Sequence, residues 1–240
     1  MRPRRCHLQI RFYTDDTLPL NFTQQLNTPT SEVRVVDSNL SVRAKGGIVG
    51  MFWRFLPMSD PTVDRLAVRD VDSLPGTRER AAMDEWILSG RKWHVFRDHT
   101  AHSYWPIMGG MFGAAKSSGA ESVLPYDAVE GLIRSGQVDL QMQRRGGDQD
   151  FLRDHVWPLI DHQHGLISHD SYHCMEYPST KAWPTQRLGP KHYVGAGVDV
   201  STAFKFMNEN FTEPFPGKTY GQGACPIECR PPHHLDWTFC

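Results

Sequence analysis

Apolar positions along the chain switch period several times. Short β-branched or aromatic runs alternate with longer runs at helical spacing. "EVRVVD" (Glu32 to Asp37) is short and β-branched, which predicts a strand. "GGIVGMFWRFLPM" (Gly46 to Met58) has the helical period and stops before Pro61. "DRLAVRD" (Asp64 to Asp70) predicts a second strand. In "SLPGTRERAAMDEWILSG", Thr77 predicts an N-cap and Glu79 complements the first turn. Met83, Trp86 and Ile87 form one apolar face, and Gly90 closes the helix. "KWHVFRD" (Lys92 to Asp98) predicts a third strand. "PIMGGMFGAAK" (Pro106 to Lys116) is apolar with paired glycines. "YDAVEGLIRSG" and "DQDFLRDHVWPLI" predict helices, and "DHQHG" (Asp161 to Gly165) a polar turn.

Strands alternating with helices predict an α/β domain over residues 1–178, with a mostly parallel central sheet flanked by helices. After Pro178 the period fades and Pro, Gly, His and aromatics dominate. Residues 179–240 are therefore expected to form an irregular C-terminal extension packed on the domain.

Bulk properties narrow the function classes. The chain has 240 residues, 39% hydrophobic and 22% charged, enough for one large domain or two small ones. A net charge of -1 offers no basic field for nucleic acid or an anionic membrane, and no apolar run is long enough to span a bilayer. The five cysteines leave an odd one over. Cys225-x-x-x-Cys229 has half the spacing of a zinc site but no second pair to complete it. Three N-glycosylation sequons, at Asn21, Asn39 and Asn210, tilt the expected location toward the secretory pathway, Golgi lumen or exterior, with chance occurrence in a cytoplasmic protein as the alternative.

The chemistry concentrates where "LAVRDVDS" ends a strand. In open parallel sheets, ligands sit beyond the carboxyl ends of strands. Asp70 and Asp72, two apart on an extended backbone, would point to the same side. Two adjacent carboxylates repel unless a cation stands between them, and Mg²⁺ or Mn²⁺ takes such oxygens while leaving room for phosphate. One Asp capping a turn with the other solvated is the competing reading.

Four segments in order, "RDVDS", "GGM", "DQDFL" and "HDSY", preceded by "FWRFLP", resemble the type A glycosyltransferases, in particular the glycogenin and galactosyltransferase-like group. The resemblance covers about Arg11 to Asp170. It implies a nucleotide-diphospho-sugar transferase fold, a Mn²⁺ or Mg²⁺ cofactor, a nucleotide-sugar donor (a UDP-sugar first) and a glycan or other hydroxyl acceptor. "LQIRFYTDDTLP" fits the second strand of that fold, so its first strand is expected to be missing.

By resemblance, Asp72 is a direct metal ligand and Asp70 binds through water or contacts the ribose. His169 is the third ligand, in place of a late His-x-x-Gly-x-x-Lys segment that this chain lacks. Arg54 and Arg69 are candidates for phosphate contact, against a surface charge and a structural ion pair. Gly109 and Gly110 would let a donor approach the backbone. Asp148, Gln149 and Asp150 would contact the sugar or supply a general base, although acids at a helix start also serve the dipole. Asp98, His99 and His102 could line the acceptor side, with Trp105 stacking on a sugar face, while Trp53, Trp86 and Trp93 are expected in the core. Two other classes compete. A metal-dependent hydrolase would use Asp70, Asp72, His99, His102 and His169. A non-catalytic glycan-binding or scaffold protein would respond to neither metal nor nucleotide.

Overall fold

The computed structural model describes residues 8–36, 50–73, 75–116, 131–132, 146–188, 192–196 and 224–240. Its packing separates two compact units, Met1–Asp60 with Leu124–Asp148, and Pro61–Val123 with Gln149–Cys240.

In the first unit, strand β1 (Ile10–Thr14) pairs in parallel with β2 (Ser31–Val35), from Ile10 opposite Ser31 to Thr14 opposite Val35. Helix α1 (Leu20–Leu26) connects them and buries none of its residues. Arg11 ties the unit together through Glu32 and, at 2.6 Å, Asp60. The expected helix over Gly46–Met58 is realised, within the described residues, as a single turn α2 (Gly50–Trp53) and a 3-10 turn (Leu56–Ser59). Phe52, Phe55 and Met58 are fully buried on it.

The second unit holds a five-stranded sheet in the order β3 (Arg65–Val68), β5 (Phe112–Ala115), β4 (Trp93–Arg97), β6 (Leu166–Asp170), β7 (Thr180–Lys181). The expectation of a mostly parallel sheet is corrected here. β4–β6 and β6–β7 are parallel, but β5 runs antiparallel to both β3 and β4. The reason lies in the connection. A parallel return needs a crossover, usually a helix. Between β4 and β5 there is only a 3-10 turn (Thr100–Tyr104), so the chain comes straight back.

Helix α3 (Thr77–Ser89) provides the crossover from β3 to β4, and its extent matches the expectation. Its N-cap is Gly76 rather than Thr77, and Gly90 closes it in the left-handed region at φ 67°. Ala82, Met83 and Trp86 face the sheet. Trp86 is fully buried, lies over Gly113 and donates to the Arg91 carbonyl at 2.8 Å. All five residues of β4 and of β6 are buried, as befits strands covered on both faces. β3 alternates, with Leu66 and Val68 inward. Trp53, Trp86 and Trp93 are core residues as expected, joined by Trp183 from the extension.

"DQDFLRDHVWPLI" starts as helix α4 (Gly147–Phe151), widens into a π turn (Leu152–Val156) and tightens into a 3-10 turn at Trp157–Leu159. Only Gly131 and Leu132 of the "YDAVEGLIRSG" helix fall within the described residues. Beyond β7 the described chain is irregular apart from a 3-10 turn (Ile227–Cys229). Cys225 and Cys229 hold no zinc-type pair. Each is in a disulfide, Cys225 with Cys240 and Cys229 with Cys174. Closing the loop of 55 residues between Cys174 and Cys229 restricts the unfolded chain. Replacing both by Ser is expected to cost about 2–4 kcal/mol in a urea titration. An unchanged midpoint would show that packing alone fixes this segment.

Candidate active site

β3, β4 and β6 run in one direction and β5 in the other. One edge of the sheet therefore gathers the carboxyl ends of three strands and the amino end of β5. Asp70 and Asp72 follow β3, Asp98 follows β4, Ser171 follows β6, and Gly109 and Gly110 precede β5.

The backbone at the aspartate pair is not extended. β3 ends at Val68, and the chain turns at once, with the Ser73 N–H donating to the Asp70 carbonyl at 3.1 Å. Spacing along a strand therefore does not set the two side chains. The turn leaves both aspartates exposed. Asp70 lies directly over Gly110. A Cβ there would sit 2.6 Å from its Cγ, 3.0 Å from Oδ1 and closer still to Oδ2. The glycine pair is a turn, not part of a strand, closed by the Met111 N–H donating to the Met108 carbonyl at 3.0 Å. Gly109 in turn donates its N–H to Gln149 Oε1 at 3.1 Å. "RDVDS", "GGM" and "DQD", distant in sequence, thus meet at two consecutive glycines.

The flanking residues have other duties. Arg69 is ion-paired with Glu79, and its guanidinium carbon stands 4.4 Å from the Phe96 ring centre. This is the structural pair weighed against phosphate contact. Arg54 belongs to the first unit, where its Nε donates to the Met51 carbonyl at 2.9 Å. Asp148, fully buried, closes that unit. Asp150, also buried, pairs with Arg153 at 2.9 Å. Arg153 stands 5.3 Å from the ring centre of Trp105, so an arginine already covers the indole expected to stack on sugar.

His169, expected as the third metal ligand, has protein partners on both ring nitrogens. It lies within the sheet on β6, fully buried, with Nδ1 2.8 Å from His94 Nε2 and Nε2 2.9 Å from Glu85 Oε2. An ionised Glu85 accepts from His169 Nε2–H, so His169 Nδ1 accepts from His94 Nε2–H. That leaves His94 Nδ1 unprotonated, and it is buried without a hydrogen-bond partner. Burial pushes the His169 pKa down in spite of Glu85. Burial, then the neighbouring His169 and Arg69, hold His94 well below the ordinary imidazole range. The hydrogen bond from His169, helped by Lys181 at 2.7 Å, lowers Glu85 to about 2.

A second buried cluster centres on Asp98, which was expected on the acceptor side but not as a hub of buried hydrogen bonds. Arg78 grips it with Nε to Oδ2 at 2.9 Å and Nη2 to Oδ1 at 2.8 Å. Ser171 Oγ stands 2.6 Å from Oδ1, and the Val194 N–H donates to Oδ2 at 2.8 Å. Arg187 donates to the Asp98 carbonyl at 3.3 Å. Arg78 also donates to the carbonyls of Thr185 and Cys240, which fastens the extension to the start of α3. With its oxygens so engaged, Asp98 positions chain rather than moving protons. The only signal in sequence was its place after an apolar strand.

His99 and His102 are buried beside this cluster, around Tyr193, with ring centres 4.4 and 5.6 Å from it. His102 Nδ1 accepts from the Asp98 N–H at 3.4 Å. Burial, with Arg187 adding to it, lowers His99 to about 4, and burial beside His99 and Arg187 lowers His102 to about 3. Both are neutral at pH 7. The ligand set expected for a hydrolase is thus divided among separate duties. Among the described residues, no three His, Cys, Asp or Glu side chains are grouped to hold a metal.

No family model, no curated protein and no solved structure matches the chain.

Proposed function

We propose that the protein is a metal-dependent glycosyltransferase that moves a sugar from a nucleotide-sugar donor to a glycan or other hydroxyl acceptor. The observation that carries this reading is the meeting of three segments at the Gly109–Gly110 turn. Asp70 rests on Gly110, and Gln149 holds Gly109. Close backbone approach and a pair of exposed carboxylates at a sheet's carboxyl edge suit a diphosphate and a hard cation.

The residues present fit such a cation as a shared guest. Asp70 and Asp72 offer oxygen ligands only, and Mg²⁺ or Mn²⁺ commonly binds one or two carboxylates with water and phosphate completing its shell. When bound, the cation would neutralise charge on the diphosphate leaving group. Gln149 fixes the glycine turn and hence the place of Asp70. Asp150, oriented by Arg153, is the carboxylate on this unit to contact the sugar or take a proton from the acceptor hydroxyl.

The test is thermal unfolding with UDP or GDP, with and without Mn²⁺. At a hundredfold excess over Kd, binding adds about 2.7 kcal/mol. For a chain of this size that raises Tm by roughly 5–10 °C. The rise should need metal and vanish in Asp72→Ala. A folded chain showing no rise with any nucleotide would favour a non-catalytic binding protein.

A further inference from the structure

We infer that Asn21 is an N-glycosylation site, modified when the chain passes through the oxidising compartments of the secretory route. This does not rest on the transferase reading. Two independent features carry it. The first is the sequon "NFT" itself, on a surface built to receive it. Asn21 is exposed in the first turn of α1, a helix with no buried residue. Around it stand Leu18, Leu20 and Phe22, 39%, 78% and 47% exposed. A glycan at Asn21 would cover this apolar patch with a polar polymer. The second is redox state. Cys174, Cys225, Cys229 and Cys240 all form disulfides, which persist in secreted and lumenal proteins and are rare in reducing compartments.

The chemistry is a group transfer. The donor is a lipid-linked diphospho-oligosaccharide supplied by the host's membrane-bound transferase. The bond between the sugar C1 and the phosphate oxygen breaks, a bond from C1 to Asn21 Nδ2 forms, and Nδ2 loses a proton. The lipid diphosphate leaves. In the folded helix the Thr23 hydroxyl donates to the Leu20 carbonyl at 2.9 Å. The step therefore belongs to the chain before α1 forms, when that hydroxyl is available to the transferase. Asn39 and Asn210 lie outside the described residues, so Asn21 is the sequon whose surroundings can be read.

The full chain, directed into the secretory pathway of a eukaryotic cell line behind a cleavable leader, is treated with peptide N-glycosidase and mapped by mass spectrometry. Conversion of Asn21 to Asp is expected. It should be lost completely in Thr23→Ala and kept in Thr23→Ser, a pair that acts before folding and so separates recognition from stability. An unconverted Asn21 in a sample where Cys174–Cys229 has formed would overturn the inference. So would conversion confined to Asn39 and Asn210.

Discussion

Gly110→Ala is expected to fold and to lose the metal-dependent response to nucleotide. The added Cβ collides only with the far end of the Asp70 side chain, which is exposed and can swing away. The stability cost should stay under about 1 kcal/mol, since surface rearrangements away from the core are cheap. The carboxylate, however, can no longer occupy its place over the turn. Displacing a support of a metal site typically costs about 10–100-fold in affinity. Gly113→Ala, three residues on, should behave in the opposite way. There the Cβ would meet the Trp86 ring at 2.8 Å and the Leu66 carbonyl at 3.1 Å. Neither can yield easily, and overpacking of about 1–3 kcal/mol is expected with nucleotide affinity per folded molecule unchanged. Urea titrations and Mn²⁺-dependent UDP binding on both variants check the pair. Full Mn²⁺-dependent binding in Gly110→Ala would remove Asp70 from the site.

Acid is expected to unfold the protein well above the pH at which ordinary carboxylates protonate. His94, His99, His102 and His169 are buried and have pKa values below the ordinary imidazole value of 6.5. In each, the unfolded chain binds a proton more readily than the folded one. Their contribution is complete above pH 6.5 and is lost progressively as pH falls below it. For His99, with a folded value of about 4, the loss by pH 5 is about 2 kcal/mol, and His102 is of the same order. Glu85, lowered to about 2, adds a further loss below its unfolded value of 4.5. Stability at pH 5 should therefore lie several kcal/mol below that at pH 7, a large share of a typical total of about 5–15 kcal/mol. Urea titrations at half-unit steps would show it as a slope of roughly 2–3 kcal/mol per pH unit near pH 5, about two protons taken up on unfolding by His99 and His102, with His94 and His169 adding in the same direction. A flat profile from pH 7 to 5 would mean these histidines are hydrated in solution.

What the sequence revealed depends on how local the cause is. Helix α3 was legible because its period, Glu79 and the closing Gly90 all lie within one short stretch. β4 was legible as an apolar run. The reversal of β5 was not, because direction depends on what the connection lacks rather than on what the strand contains. The turn at Asp70 escaped for a similar reason. A two-residue spacing implies a shared side only if the strand continues, and it stops at Val68. The partners of His169 were not legible, because a histidine after an apolar stretch looks the same whether it faces solvent or a second buried histidine. Only the parallel register of β4 and β6, with Trp93 opposite Leu166, brings His94 and His169 together. The Asp98 cluster was the hardest to foresee. Its partners at 78, 171, 187 and 194 follow no spacing rule, since they share only a place at the end of a sheet.

The same cluster sets an order of events during synthesis. Arg78 reaches the Cys240 carbonyl across 162 residues of sequence. A ribosome adding 5–20 residues per second takes about 10–30 s to cover that distance. For that interval the start of α3 and the end of β4 exist without the segment that completes their bonding, and one wall of the sheet stands open. A holding chaperone would find exposed partners there over that interval, and its release should follow the arrival of the Cys225–Cys240 segment.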